Sequence, residues 1–169
     1  MQGRNCDIAA ADTAERVCDS SVFAHDLSGA DLAQSLLMQE VDSVTGQIIG
    51  VAIRVHRKYG PGLLESAYTP CLAYELVALG LKVEVEKPLS LKHEGLVIHR
   101  AYVLDLLVED QVIVEVKSVA NLAPIHTAQL LTYLRLTGLQ VGLILNFNVP
   151  RLVDGIKRVA NSHQDKETD

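Results

Sequence analysis

Glu115 and Lys117 stand two apart in the segment Val112-Ile113-Val114-Glu115-Val116-Lys117, whose other members are all β-branched and apolar. In a strand, residues two apart project from the same face, so a carboxylate and an ammonium are set side by side. Charges are rarely placed inside such a strand for packing. Asp105 lies in the preceding β-rich segment, across Glu109-Asp110-Gln111, which suits a hairpin loop. A loop of these three residues brings Asp105 opposite Glu115, whereas a shorter loop would shift the register by one and separate them. Two carboxylates converging beside a lysine suit Mg²⁺ or Mn²⁺, because such ions are held by one or two carboxylates together with water and substrate phosphate. A bound ion of this kind polarises a phosphodiester and lowers the pKa of a bound water. The lysine then orients that water or stabilises developing negative charge. By itself, the D-x₉-E-x-K spacing is explained equally well by a Glu–Lys pair balancing charge on an exposed sheet face.

The elements that must position these residues are legible from periodicity. Residues 43–58 carry Ile48, Ile49, Ala52, Ile53 and Val55 at helical spacing, and Tyr59-Gly60-Pro61-Gly62 ends that helix. A second helix is predicted over 63–79, closed by Gly80, with a bend at the internal Pro70. Alternation then replaces helical spacing. Val83 and Val85 predict a strand, Pro88 is expected to break it, and residues 89–92 predict another. Glu94-Gly95 reads as a turn, and residues 97–108 and 112–119 form the hairpin. Pro124 opens a helix to about residue 136, closed by Gly138, and residues 141–147 suit a buried strand. A final helix is expected over 150–160. The succession describes an α/β domain, a mixed sheet flanked by helices.

Hydrophobic residues make up 49% of the 169-residue chain, enough for one sizeable core, and the lack of tryptophan makes that core aliphatic. The formal charge of −6 is unevenly spread. Residues 1–44 hold two basic and eight acidic residues, whereas residues 45–161 hold twelve basic and ten acidic. The middle is thus mildly basic, which is compatible with phosphate binding without arguing for it. Residues 1–42 are expected to be an acidic, largely disordered extension with a short helix near 30–39, and residues 162–169 a flexible tail. No apolar run approaches the ~20 residues of a membrane span. With no secretory signal at the N-terminus, a cytoplasmic protein without a membrane partner is expected. Cys6, Cys18 and Cys71 have neither disulfide-framework nor zinc spacing, and Cys71 reads as a small core residue.

Two further patterns bear on the site. Gly62-Leu63-Leu64-Glu65-Ser66-Ala67-Tyr68 places Glu65 near a helix N-terminus, where the dipole favours a carboxylate. Gln129 and Tyr133 are four apart on one helical face, with His126 three before Gln129; an ordinary amphipathic helix explains this too. The Gly62–Tyr68 segment resembles the signature of the GxxExxY family of the PD-(D/E)XK nuclease superfamily. Similar segments continue in order through Thr45-Gly46-Gln47-Ile48-Ile49-Gly50, Val55-His56-Arg57, Asp105 to Asp110, Val112 to Lys117, and Asn146-Phe147-Asn148-Val149-Pro150. Gln129 and Tyr133 are similar to the QxxxY motif of RecB-like members, where the pair borders the active site and DNA. The resemblance implies a PD-(D/E)XK (restriction-endonuclease-like) core. It implies Asp105 and Glu115 as metal ligands, Lys117 as the catalytic lysine, Glu65 as an accessory acid, and Gln129 and Tyr133 as accessory residues.

The expected function is therefore a Mg²⁺- or Mn²⁺-dependent nuclease acting on DNA, with exonuclease action implied by the QxxxY likeness. The alternative is an inactive binding module of the same fold within a larger nucleic-acid-processing assembly. The intact Asp105, Glu115 and Lys117 set favours the enzyme. His56, Arg57 and Lys58 suit the end of a helix, where cations are favoured. Arg100, Arg135, Arg151, Lys157 and Arg158 are available for a DNA path.

Overall fold

A computed structural model describes residues 29–161. The elements run α1 (Gly29–Tyr59), α2 (Glu65–Ala78), β1 (Val83–His93), β2 (Leu96–Val108), β3 (Val112–Lys117), α3 (Pro124–Thr137), β4 (Val141–Asn146), a 3₁₀ turn (Leu152–Gly155) and β5 (Ile156–Ala160). The five strands form one sheet in the order β1-β2-β3-β4-β5. Only β3 and β4 are parallel. A parallel pair needs a long crossover, and α3 supplies it. The mixed α/β architecture is the expected one.

Helices cover both faces. On one side α1 and α2 pack Val44, Ile48, Val51, Val55, Leu72 and Leu76 against Leu106, Val114, Val116, Leu143 and Leu145. On the other side α3 packs Leu130, Tyr133 and Leu134 against Leu104, Leu107, Ile113 and Ile144. Gly142 on β4 admits this helix closely: a Cβ there would lie 2.7 Å from Leu130. Cys71 packs, partly buried, against the α1–α2 cluster, as a core residue would.

Three expectations need correction. Helix α1 begins at Gly29, so the anticipated 30–39 helix and the 43–58 helix are one continuous element. Its first turns carry Leu32, Leu36 and Leu37 more than half exposed, and the buried stripe begins only at Val41, which is why the ordered pattern reads as starting later. The expected disorder of residues 1–28 lies outside the described residues. Helix α2 contains Pro70, as expected. Pro88 does not break β1, because β1 is an edge strand and tolerates a missing donor. The last helix is instead a 3₁₀ turn followed by a strand. Ile156–Ala160 pairs antiparallel with β4, and Gly155 is required before it, since a Cβ there would stand 2.2 Å from the Asn146 carbonyl. An open strand edge outweighed the local pattern.

Candidate active site

The β2–β3 loop is Glu109-Asp110-Gln111, with Glu109 and Asp110 in the left-handed region at φ 54° and 55°. Leu106 pairs with Val114, Leu107 with Ile113 and Val108 with Val112. That register sets Asp105 across from Glu115, as the loop length predicts. The backbone ladder stops there. In its place the Asp105 carboxylate accepts a hydrogen bond from the Val116 N–H at 2.8 Å. On the other side of β2, the pairing with β1 skips Asp105 and Glu86, and Glu86 adopts φ 51°. Leu104 and Leu106 consequently enter opposite cores. The pleat slips by one residue at Asp105, a local irregularity of the kind that re-aims a side chain.

On β3, Val112, Val114 and Val116 enter the α1–α2 core, so Glu115 and Lys117 share the α3 side with Ile113. Glu115 is only 3% exposed. Its Oε2 accepts from Lys117 Nζ at 3.0 Å, and its Oε1 is buried with no hydrogen-bond partner. Burial, followed by the nearby Asp105 charge, pushes the Glu115 carboxyl up to about 7, against the opposing pull of Lys117. Burial also raises Asp105, although the Val116 N–H and Lys117 oppose it. For Lys117, burial disfavours the ammonium, but the charges of Glu115, Asp105 and Glu65 outweigh it and leave the group raised. All three groups thus sense one another and Glu65.

Glu65 arrives from the opposite helical layer. Gly60 and Gly62, at φ 68° and 112°, let the chain turn sharply out of α1. Tyr68 holds this turn: its hydroxyl donates to the Gly60 carbonyl and accepts from the Leu63 N–H at 3.2 Å, while its ring stacks on Phe147 at 4.2 Å. Ser118, immediately after β3, joins the two layers. Its Oγ donates to the Leu63 carbonyl at 2.7 Å, and its N–H donates to Glu65 Oε1 at 2.8 Å. The Gly-Glu-Tyr pattern is therefore one device that seats a helix N-terminus against the end of β3.

Asn146 fixes the same end from β4. Buried to 2% exposure, it accepts from the Val119 N–H at 3.0 Å and donates to the Val119 carbonyl at 2.9 Å. The Phe147 N–H donates to the Lys117 carbonyl at 2.8 Å. From α3, Gln129 Nε2 donates to the Tyr133 hydroxyl. Tyr133 packs with Ile113 and Leu104, the neighbours of the two carboxylates, and burial, then the charge of Glu115, raises its phenol. His126 instead accepts from the Ala123 N–H at 3.2 Å and serves the start of α3. His56, at the end of α1, is buried and bonded to the Val149 carbonyl at 2.8 Å. Among the basic residues considered for a DNA path, Arg151 pairs with Asp154, Arg158 with Asp42, and Lys157 donates to Thr127.

Tyr68, Ser118 and Asn146 were not recognised as functional from sequence. Tyr68 and Asn146 lie within segments noted as patterned, but their roles are contacts to backbone far away in sequence; Ser118 carried no signal. The donors fit a hard divalent ion. Among the described residues no three histidine, cysteine or carboxylate side chains form a metal-binding group. Glu65 is turned to Ser118, which leaves the Asp105–Glu115 pair and its unpartnered oxygen. Two carboxylates suffice for an ion that shares its remaining positions with water and phosphate.

Residues 42–159 match the PD-(D/E)XK nuclease superfamily. The chain belongs to that superfamily. No curated protein and no solved structure matches it. The region matched to the PD-(D/E)XK superfamily runs from within α1 into β5 and so contains the Asp105, Glu115 and Lys117 cluster, Glu65, and the Gln129–Tyr133 pair.

Proposed function

We propose that this PD-(D/E)XK protein is a cytoplasmic, Mg²⁺- or Mn²⁺-dependent nuclease of the GxxExxY group that hydrolyses DNA, acting from ends. The observation that carries the reading is the buried Glu115 Oε1 left without a partner beside Asp105. An unsatisfied buried oxygen is costly, and a cation between the two carboxylates would satisfy it. Asp105 and Glu115 would hold the ion, which would supply Lewis-acid activation of the phosphodiester and of a water. Lys117 keeps its ammonium against burial because Glu115 anchors it, and it directs that charge at the attacking water or the developing oxyanion. Glu65 and Asn146 keep the end of β3, and hence Lys117, in place through Ser118 and Val119. Tyr133 and Gln129 bound the site from α3. DNA as substrate and end-directed cleavage follow the likeness of Gln129 and Tyr133 to the QxxxY pair.

The test is incubation of the full chain with linear DNA, closed circular DNA and RNA, each with Mg²⁺, Mn²⁺ or EDTA. Cleavage of linear DNA that needs the ion and spares closed circles is expected. Binding of nucleic acid with no cleavage under any of these conditions would transfer the protein to the inactive-module reading.

A further inference from the structure

Beside the catalytic cluster lies a groove of about 390 Å³, walled by Tyr102 of β2 and by Ile125, Ala128, Gln129 and Thr132 of α3. Its volume falls in the range of small-ligand sites. Two contacts tie it to the proposed centre. Gln129 lines the groove and bonds Tyr133, and the Tyr102 ring leans on the Tyr133 ring with centroids 5.2 Å apart and planes at 59°. Tyr133 in turn packs in one cluster with Ile113, which shares its face of β3 with Glu115, and with Leu104, the neighbour of Asp105. The groove thus adjoins, through Tyr133, the cluster that flanks the two carboxylates on β2 and β3.

Its lining contains no lysine or arginine, so it is not built for the phosphate backbone. It offers an aromatic ring, an isoleucine that is 65% exposed, an alanine methyl, and the polar atoms of Gln129 and Thr132. That combination matches a nucleobase, which has apolar faces and a polar edge. In a duplex the faces are stacked and the edge is paired, so only an unpaired base presents both to such a surface.

We propose that this groove receives the unpaired base next to the scissile phosphate, so that nucleic acid reaches the carboxylates as a single strand. The proposal rests on the nuclease reading for its scissile phosphate, but its binding test does not need cleavage. Stacking on the groove then sets register, because seating one base fixes which phosphate lies over Asp105 and Glu115. An unpaired terminus satisfies this requirement without strand separation, whereas the interior of a duplex does not.

The experiment uses the full chain in EDTA and fluorescence anisotropy with a labelled DNA single strand of about 12 nucleotides and a blunt duplex of the same sequence. The single strand is expected to bind about tenfold more tightly than the duplex, a difference of the size one stacked base supplies. Tyr102→Ala and Ile125→Ser should each weaken single-strand binding several-fold and leave duplex binding unchanged, while Tyr102→Phe retains wild-type affinity. An abasic residue walked along the strand should reproduce the loss at one position. Tyr102→Ala removes a ring that packs on Tyr133, so its fold is checked by thermal melting; Ile125 is a surface residue and supplies a variant with an intact core. Equal affinity for duplex and single strand, wild-type binding by Ile125→Ser and by folded Tyr102→Ala, or a flat abasic scan would each overturn the groove assignment. Absence of cleavage with Mg²⁺ and Mn²⁺ would sink the nuclease reading, whereas loss of the anisotropy pattern with cleavage retained sinks the groove alone.

Discussion

The two faces of the sheet differ in what they bury. Towards α1 and α2 twenty buried hydrophobic residues from Val41 to Leu152 form the larger cluster, and the buried polar groups of that layer, Thr45 and His56, are each hydrogen-bonded to a backbone carbonyl, at 2.7 and 2.8 Å. Towards α3 the hydrophobic cluster has eight members and gives way, at the C-terminal end of β3, to Glu115 and Lys117. The same strand serves both faces: Val112, Val114 and Val116 look one way, and Ile113, Glu115 and Lys117 the other. Stability and chemistry are thereby separated by a single alternation. The larger core carries the burial that offsets a carboxylate held where water cannot solvate it.

Substitutions at the charged end should produce the largest effect on turnover. Asp105→Ala and Glu115→Ala are expected to reduce metal-dependent cleavage by more than ~10²-fold, because each removes an anionic ligand and the charge stabilisation it brings. Both should also weaken Mg²⁺ binding in calorimetry, whereas Lys117→Ala should lose rate while retaining most of the binding. Cleavage surviving in Glu115→Ala would abolish the division of labour between the faces. On the apolar face the effect is on stability. Leu143→Ala or Leu72→Ala should cost about 2–5 kcal/mol in denaturant unfolding and leave the rate per folded molecule nearly unchanged.

The pH dependence of the metal-free fold separates the faces by titration. Glu115 is raised from 4.5 to about 7 in the folded state, and Asp105 is raised as well. The folded chain therefore binds protons more tightly than the unfolded chain. The stability this contributes is complete below the ordinary carboxylate range and is lost as pH rises through about 7. For Glu115 the change is of order 3 kcal/mol. Glu115→Gln should flatten that slope and make the metal-free protein more stable at pH 8, while added Mg²⁺ should stabilise the wild type there and the variant much less. A wild-type melting profile that rises from pH 5 to pH 8 without metal would contradict the buried, unpartnered carboxyl.

Asn146→Ala should cost about 1–3 kcal/mol, since it leaves both polar groups of Val119 unpaired, and should lower kcat more than it raises KM by loosening the end of β3. The smallest effect is expected far from both faces. A chain shortened to begin at Met38 removes the turns of α1 carrying the exposed Leu32, Leu36 and Leu37, and should melt within a few degrees of the full chain. A large drop would show that these leucines are covered in solution.

Much of the β2–β3 hairpin was legible because its information is local. Glu109-Asp110-Gln111 sets the register, and alternation along β3 turns Glu115 and Lys117 to the α3 side, whereas the slip of the pleat at Asp105 left no local trace. Helix ends at Gly80 and Gly138, both at positive φ, were legible for the same reason. Pro88 and residues 150–160 were misread because their states depend on partners elsewhere: Pro88 is tolerated by an edge, and Ile156–Ala160 is recruited by the open side of β4.

By itself, then, the sequence determined the order of most elements, the hairpin register and the identity of the charged set. The tertiary structure alone decided how those charges behave. Glu65 meets Ser118 across 53 residues of chain, and Asn146 meets Val119 across 27, so neither contact leaves a periodic trace. The elevated Glu115 carboxyl is likewise no property of its neighbours in sequence. Burial under α3 and the approach of Asp105 create it, and both are set by how far the assembled layers exclude water.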